Sequence, residues 1–384
     1  MRIDIIGKEC CGCRSCEQSC PKQCIDMVEN DEGFIYPKID NTKCIDCGKC
    51  IKNCPIYNYK NKEKTCKVYA FRSKNNNIIN SASGGICDLI ARKVIEDGGV
   101  VYGVAYDSEF NAVFMRTTTI DELYQIQSSK YVFSDTKDSY TKVKTDLKNG
   151  LYVLYSGTSC QIDGLISFLG SDHPNLFTIS IICHGVPSPK LFKSYIAYNE
   201  KKNNKKIIGY NFRSKYKNGW GLTEQIKFSN NTSSFESLPF TSYGNDFLLG
   251  LNYRESCYSC KYCNTNRVGD ISVGDFWGIY KAHPKFANKQ GISTVMVMTN
   301  KGEKMIENIS GNAYIIESTL NNAMLKQGNL IKPTSRSSIR DTYYKIFNNS
   351  DNFFKDRQPS KNIKYYLRKY LPHWMKRIIK RVLR

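Results

Sequence analysis

Cysteine dominates the chemistry that this sequence can perform, with 17 cysteines among 384 residues. The N-terminal sixty residues hold two runs of identical spacing, Cys-x2-Cys-x2-Cys-x3-Cys-Pro, which begin at Cys10 and at Cys44. Residues 1–10 show no apolar segment typical of a secretion signal, so we expect a cytoplasmic, reducing environment rather than disulfides. Closely spaced thiolates in such an environment are typical metal ligands. The cysteines are therefore expected to bind iron–sulfur clusters or zinc.

The repeated run is typical of two-cluster bacterial ferredoxins, in which the fourth cysteine of each run binds the other cluster. One 4Fe-4S cluster is therefore expected on Cys10, Cys13, Cys16 and Cys54. The other is expected on Cys44, Cys47, Cys50 and Cys20. Zinc also binds four thiolates, but two interleaved runs that each end in proline favour iron–sulfur. Two cysteines, Cys11 and Cys24, fall outside the spacing, and we expect them to be small buried side chains.

Further cysteines follow two expected strands in the second half of the chain. Cys160 lies in the turn after a strand at residues 151–155, and Cys183 ends the next strand. Open α/β sheets bind ligands at the carboxyl ends of their strands, so these two thiols should converge.

A Cys-x2-Cys pair at residues 257–260 completes a four-thiolate set. A third 4Fe-4S cluster is therefore expected on Cys160, Cys183, Cys257 and Cys260. Cys263 in place of one ligand, and structural zinc in place of the cluster, are the alternatives. His184 is expected to be a turn residue bonded to backbone rather than a ligand or base, and a role in the redox site beside Cys183 is the alternative.

The elements between these cysteine groups predict an α/β region with phosphate-binding features. A helix with Ile86, Leu89, Ile90 and Val94 on one face ends at Asp97-Gly98-Gly99. The loop before it places Ser81, Ser83, Gly84 and Gly85 at a helix N-terminus, which suits a phosphate or is an ordinary cap. In the segment 128–135, Lys130 could pair with a phosphate and Tyr131 could stack on a ring; a solvated surface turn is the alternative.

Charge predicts the kind of partner. Lys and Arg number 56 against 35 Asp and Glu, a formal charge of +21, which favours an acidic partner. Residues 361–384 hold nine Lys or Arg and no acid, with apolar residues at helical spacing from Leu371 to Leu383. This predicts a cationic amphipathic helix that touches an anionic membrane surface, or docks on protein. No apolar run is long enough to span a bilayer, and no nucleic-acid-binding motif is present, so no nucleic-acid partner is expected.

The motifs taken together resemble the coenzyme F-420 hydrogenase/dehydrogenase β-subunit family, in its form with a fused N-terminal ferredoxin. The matching stretches are SASGGICDLI, SSKYVFS, SGTSCQIDGL, ICHGVPSPKLF, YNFRSKYKNGW and CYSCKYCNTNRVGDISVGDFWG. The resemblance implies FAD held by Ser81, Ser83, Gly84, Gly85, Ser129, Lys130 and Tyr131. It also implies a 4-iron cluster beside the flavin on the four cysteines already proposed. Ser159 stands where the family has proline before Cys160.

The expected fold is α+β: a two-cluster ferredoxin fold followed by an α/β flavin and iron–sulfur domain. The expected divisions are residues 1–61, 62–150, 151–345 and a basic tail at 355–384. The expected function is an FAD-dependent iron–sulfur oxidoreductase that passes electrons from a ferredoxin-like donor through three clusters to FAD and an organic or deazaflavin acceptor. The alternative is a non-enzymatic electron-transfer subunit that feeds a partner.

Several other side chains are candidates for the flavin or substrate region. Asp275, Phe276 and Trp277 would line the flavin, or Phe276 and Trp277 would belong to the core. Arg213 and Lys215 would bind an anionic substrate or phosphate, or be surface charges on a strand edge.

Overall fold

We describe the chain from a computed structural model, over residues 1–61, 63 and 65–359. The amphipathic helix expected between Leu371 and Leu383 lies outside the described residues. The strands are β1 Ile25–Glu29, β2 Ile35–Ile39, β3 Lys67–Ser73, β4 Val100–Tyr106, β5 Ala112–Thr117, β6 Val153–Thr158, β7 Leu176–Ile181, β8 Ile207–Asn211, β9 Thr223–Phe228, β10 Ser233–Ser237, β11 Ile271–Asp275, β12 Ser293–Val297 and β13 Ala313–Ser318. The α-helices are α1 Ser15–Gln18, α2 Lys49–Lys52, α3 Ile86–Glu96, α4 Leu123–Ile126, α5 Ser139–Lys148, α6 Ser159–Leu169, α7 Pro189–Asn203, α8 Ser242–Leu248, α9 Ile279–Ala282, α10 Asn300–Ile309, α11 Leu320–Met324, α12 Arg340–Asn348 and α13 Phe353–Asp356.

The N-terminal region is an internally repeated unit, as the spacing predicts. Strands β1 and β2 form an antiparallel hairpin, with Ile25 opposite Ile39, on either side of a turn that contains Asp31-Glu32-Gly33. Each cysteine run enters a four-residue helix, α1 or α2, through a residue in the left-handed conformation. The two halves are joined by Ser15, whose Oγ donates to the carbonyl of Asn53, while the Asn53 amide donates to Ser19 Oγ.

The rest of the chain is built on a mixed eight-stranded sheet in the order β13-β3-β12-β11-β7-β6-β4-β5. Its centre is parallel, because β4 pairs with β6, β6 with β7 and β7 with β11 in the same direction. The parallel strands are joined by crossover helices such as α6, and their carboxyl ends share one edge. Strands β3, β4 and β5 therefore share one sheet with β6, β7, β11, β12 and β13, which lie much later in the chain.

Helix α3 confirms its predicted face, since Ile86, Leu89, Ile90 and Val94 are all buried against the sheet. Helix α6 begins at Ser159, so Cys160 lies in its first turn. Strand β7 ends at Ile181, two residues before Cys183, rather than at Cys183 as expected. Cys183 Sγ accepts the backbone N–H of Gly185 at 3.3 Å, and this turn directs the chain away from the sheet.

A second layer covers the carboxyl edge of the sheet. It comprises the antiparallel sheet β10-β9-β8 together with helices α7, α8, α12 and α13. Its core is largely aromatic, with Phe192, Tyr210, Phe212 and Tyr243 in mutual ring contact. This layer holds the segment 128–135, in which Val132, Phe133 and Ser134 are buried, so the surface-turn alternative is wrong.

Candidate iron–sulfur and flavin site

The cysteine group predicted from the second run, which we call site II, lies at the surface. Its four predicted ligands line one cavity, and Cys47 among them is exposed: Cys20, Cys44, Cys47 and Cys50. Cys24 lines the same cavity, with its Sγ 3.5 Å from that of Cys20. Cys24 is buried, as expected, but it belongs to the wall of site II rather than to a remote part of the core.

The group predicted from the first run, site I, lies in the interior. All four of its predicted ligands are buried: Cys10, Cys13, Cys16 and Cys54. Burial, followed by the neighbouring thiols of Cys10 and Cys54, raises the pKa of Cys16, which reports their proximity. Helix α6 closes one side, because a Cβ on Gly164 would lie only 3.0 Å from Cys13 Sγ. Site I therefore lies between the N-terminal unit and the large sheet.

The third group, site III, occupies a cavity at the carboxyl edge of the sheet. Its empty volume is about 800 Å³, counted to its open mouth. The four predicted ligands all line it: Cys160, Cys183, Cys257 and Cys260. Burial raises the pKa of the Cys257 thiol, and the neighbouring thiols Cys183, Cys260 and Cys160 raise it further. The structure thus brings the two post-strand cysteines and the Cys-x2-Cys pair together.

Two additional thiols flank this group. Cys263 is hydrogen-bonded to Cys260 and lies near Asn329, whose amide is 4.0 Å from its Sγ. Cys11 lines the site III cavity together with Cys160, and the thiols of Cys13 of site I and of Cys160 are the neighbours that most affect its pKa. Cys11 therefore contacts both sites, a position that spacing alone does not reveal. The only sequence signal is that its counterpart in the second run, Ile45, is not a cysteine.

The fit of these sites to anionic clusters is supported by a buried cation, Arg254. It is 1% exposed, and no carboxylate of the described residues pairs with it. Its Nε donates to the carbonyl of Cys10 at 2.6 Å, and its own carbonyl accepts the N–H of Cys257 at 2.9 Å. Its Nη1 is buried with no hydrogen-bond partner, and Arg254 is one of the residues that line the site III cavity.

A guanidinium remains protonated, and burying it without a counter-charge is costly. The rings of Phe34, Tyr36 and Phe133 surround it, the nearest with its centroid 4.2 Å away, and supply part of the compensation. A four-iron cluster held by thiolates is anionic and would supply the rest. The donor set and the unpaired Nη1 therefore fit an iron–sulfur cluster on each side of Arg254.

Arg267 is a second buried guanidinium, and it fixes the walls of site III. It donates to Ser159 Oγ at 2.7 Å, to the carbonyl of Ile181 at 3.1 Å and to the carbonyl of Tyr262. It thereby joins the start of α6, the end of β7 and the loop after the Cys-x2-Cys pair. Ser159, the departure from the family's proline, is used here as a hydrogen-bond acceptor.

Arg213 joins the two segments that the family resemblance assigns to FAD. One Nη donates to the Ala82 carbonyl at 3.0 Å, and the other donates to Tyr131 Oη at 2.9 Å. The same guanidinium forms a two-bond ion pair with Asp275, both distances being 2.7 Å. Arg213 is 2% exposed, so the surface-charge alternative is wrong; because Asp275 neutralises it, it is not free to bind an anionic substrate either.

Two lysines beside these segments have no carboxylate partner among the described residues. Lys130 Nζ donates to the carbonyls of Gln125 and Gln127, and Lys215 Nζ to those of Ile78 and Ser83. Burial lowers the pKa of Lys130 to about 7, and burial with the nearby Arg213 lowers that of Lys215 to about 7. A nearby anionic group would favour the charged form of either lysine, which is compatible with the anionic part of FAD.

The remaining predicted flavin residues have protein contacts of their own. Ser81 is buried, and Ser83 Oγ donates to the Ile292 carbonyl. Gly84 is required by close packing, because a Cβ would lie 2.2 Å from the Phe71 carbonyl oxygen. Gly85 caps α3 at φ +84°.

The aromatic candidates differ in burial: Phe276 belongs to the protein core, whereas Tyr131 and Trp277 are half-buried. The Tyr131 ring stacks on Phe247 at 4.5 Å, and Phe276 is fully buried in the core. Trp277 stacks on Trp220 at 5.0 Å, and Trp220 Nε1 donates to Asp275. Ser129 is half-buried beside Lys130, while His184 is exposed at the mouth of site III.

No group of three or more His, Cys, Asp or Glu in the described ranges is arranged around a single metal ion. Over the same part of the chain, no helix has both the length and the apolar character needed to cross a membrane.

Two sequence profiles and one solved structure match parts of this chain. Residues 9–58 match the sequence profile of the 4Fe-4S dicluster domain. Residues 151–323 match the profile for the C terminus of the coenzyme F420 hydrogenase/dehydrogenase beta subunit. Among solved structures, a chain of the F420-reducing [NiFe] hydrogenase complex from Methanosarcina barkeri, studied by xenon derivatization, aligns with a TM-score of 0.47 and 17% identity. The alignment covers 76% of this chain and 96% of that one.

The two profile matches indicate an iron–sulfur electron-transfer protein. The two profile matches assign it to the coenzyme F420 hydrogenase/dehydrogenase β-subunit type, with a dicluster ferredoxin domain at its N-terminus. The resemblance and the fold class predicted from the sequence are therefore confirmed.

Proposed function

We propose that the chain is an iron–sulfur flavoprotein oxidoreductase. Electrons from a ferredoxin-like donor enter at the N-terminal unit, pass through three 4Fe-4S clusters, and reach FAD and then an organic or deazaflavin acceptor. The ligands are the eight cysteines of sites I and II with Cys160, Cys183, Cys257 and Cys260. FAD supplies the exchange between one-electron and two-electron transfer.

One observation carries the proposal: the three cysteine sites form a continuous series from the surface to the carboxyl edge of the sheet. Site II has an exposed thiol, site I is buried, and Cys11 contacts a ligand residue of site I and one of site III. Such a series suits transfer from an external donor to an internal acceptor. It gives a zinc protein no advantage, because zinc carries no electrons.

The residues of the chain position and tune rather than react. Gln161 donates to the carbonyl and Oγ of Ser134, at 2.9 Å and 3.0 Å, which holds the first turn of α6 against the segment 128–135. Phe133 and Ser134 of that segment also line site III. The flavin segment and the third cluster site therefore share a wall, which supports direct transfer between them. Arg213 and Asp275 hold the Ser/Gly loop to Tyr131.

Anaerobic purification with quantitation of iron, sulfide and flavin tests this proposal. We expect about twelve irons per chain, four for each cluster, with stoichiometric FAD. Iron near eight with no flavin would overturn both the third cluster and the flavin, and zinc without iron would overturn the whole proposal.

The second candidate is a non-enzymatic subunit that feeds electrons to a partner enzyme. It is favoured by the matched profile, which describes a β subunit. Protein that contains flavin but reduces no small acceptor, while it reduces a co-purified partner, would favour this candidate. Turnover of a deazaflavin or another organic acceptor by the isolated chain would favour the enzyme. Under both candidates we expect a cytoplasmic protein, and contact of the basic tail with an anionic membrane is a separate prediction.

A further inference from the structure

A groove of about 690 Å³ lies where the N-terminal unit meets helices α5 and α6. The residues that define it come from both regions: Gln18, Lys49, Asn53, Lys144, Lys148 and Phe168. It is distinct from sites I, II and III, and the proposed path through the cysteines does not account for it.

The groove is cationic and uncompensated. Lys49, Lys144 and Lys148 are exposed, and none of them pairs with a carboxylate of the described residues. No acidic residue lines the groove. Nearby acids are already paired, Asp138 with Lys142 and Glu17 with Arg14. Three ammonium groups on two helices, one on α2 and two on α5, attract an extended acidic surface rather than enclosing one small anion.

The floor of the groove is formed by the cluster-binding loops of the N-terminal unit. Lys49 directly precedes Cys50 of site II, and Asn53 directly precedes Cys54 of site I. Gln18 ends the helix that carries Cys16, and its amide nitrogen, Nε2, is buried without a partner. A carrier bound in this groove would therefore lie close to both clusters. This closeness favours transfer, because the rate of electron transfer falls steeply with distance.

We propose that this groove is the docking surface for an acidic electron-carrier protein of the ferredoxin class. The proposal rests on the proposed function, in which electrons enter through the N-terminal unit. In each encounter the cluster of the carrier is oxidised by one electron and a cluster of the N-terminal unit is reduced by one. No bond forms or breaks, and no proton is transferred. The lysines act by steering and orienting the carrier.

Charge reversal with a matched control tests the docking surface. The test variant is Lys49→Glu/Lys144→Glu/Lys148→Glu. The control is Lys201→Glu/Lys202→Glu/Lys205→Glu, which changes the net charge equally at exposed positions at and just beyond the C-terminal end of α7, a helix that contributes nothing to the groove. Stopped-flow bleaching of the clusters is followed with a photoreduced acidic two-cluster bacterial ferredoxin, at low and at high salt. Methyl viologen radical serves as a reductant that needs no docking.

We expect the second-order rate constant with ferredoxin to fall at least about tenfold in the test variant and less than about threefold in the control. The rate with methyl viologen should change by less than about twofold in both. The wild-type rate with ferredoxin should fall with salt. A test variant within threefold of the wild type, or equal slowing of both variants, would overturn the docking surface.

Failure of the docking proposal is distinguishable from failure of the proposed function. If methyl viologen reduces the clusters of the wild type while the acidic ferredoxin does not at either salt concentration, the docking surface and the ferredoxin-like donor are overturned, whereas the three clusters and the flavin of the proposed function stand. Wild-type protein without reducible clusters would overturn both.

Discussion

The two cysteine runs have the same spacing and nearly the same backbone, yet they face opposite environments. Gly12 and Asp46 occupy equivalent left-handed positions, with φ of 73° and 50°, and so do Arg14 and Gly48, with φ of 59° and 69°. Cys11 in the first run points to Cys160 in the interior, whereas its counterpart Ile45 is 57% exposed. The spacing determines how a cluster is held, and the intervening residues determine what that cluster faces.

Arg14 illustrates the difference. A non-glycine residue in the left-handed conformation costs about 1 kcal/mol, which Gly48 avoids. The side chain of Arg14 offsets this cost with hydrogen bonds to Asp135 and Glu17, at 2.5–2.9 Å and 2.7–2.8 Å. Asp135 belongs to the segment proposed to hold the flavin, so the first run is joined to the large-sheet region by an ion pair, whereas among the described residues the second run has no ion pair to that region.

The largest effect should come from removing equivalent ligands, Cys16→Ala and Cys50→Ala. Each should lose about four irons per chain, since a 4Fe-4S cluster needs its thiolates. Cys16→Ala should also lower the melting temperature by about 5 °C or more beyond the effect of Cys50→Ala. The reason is that site I is enclosed between the N-terminal unit and the large sheet, whereas site II lies at the surface. Iron analysis and anaerobic thermal unfolding measure both effects. Equal melting temperatures would contradict the difference in environment.

The next effect concerns the equivalent left-handed positions. Gly12→Ala should destabilise the chain by about 2 kcal/mol or more, because its Cβ would lie 2.9 Å from the Phe133 ring at a positive φ. Asp46→Ala should change the free energy of unfolding by less than about 1 kcal/mol, since Asp46 is exposed. As a non-glycine residue, Asp46 already pays the cost of the left-handed conformation, so alanine adds little to it. Denaturant unfolding under anaerobic conditions compares them. A Gly12→Ala protein of unchanged stability would contradict the close packing of the first run against Phe133.

A subtler effect is expected on redox potential. Arg254→Gln should make the clusters of sites I and III harder to reduce, because the positive charge that favours their more negative state is lost. At a fixed potential the ratio of reduced to oxidised cluster should fall about tenfold, which is about 59 mV for one electron. The site II cluster should be unaffected, and Arg254→Lys should restore part of the shift. An EPR-monitored redox titration makes the measurement.

Arg340→Gln is the matched control for Arg254. Arg340 is equally buried, but it is paired with Glu32 at 2.7 Å and lines neither the site II cavity nor the site III cavity. Its loss should destabilise the fold without shifting a potential. An Arg254→Gln protein with unchanged potentials would contradict the role of Arg254 as a shared counter-charge.

The smallest effect is expected for Cys11→Ala, compared with Ile45→Ala. Iron should remain near twelve per chain in both, because four other cysteines suffice for each site. The contact of Cys11 with Cys13 and Cys160 makes this the sharpest test of the ligand assignment. A loss of about four irons in Cys11→Ala would make Cys11 a ligand.

The sequence predicts those parts of the site whose geometry is local. The two cysteine runs need only their spacing, and the convergence of Cys160 with Cys183 follows from the common edge of parallel strands. The position of Cys11, the unpaired charge of Arg254 and the ion pair of Arg213 with Asp275 depend on contacts between segments far apart in the chain. No periodicity reports such contacts, so the sequence alone suggests a free anion-binding role for Arg213 and an incidental one for Cys11.

The most direct test of the central account, three clusters in series, is a count of paramagnetic centres in the reduced protein. Quantitative EPR of the anaerobically reduced wild type should give about three spins per chain, with line broadening from spin–spin interaction between neighbouring clusters. About two spins, together with iron near eight, would show that site III holds no cluster and would contradict the account.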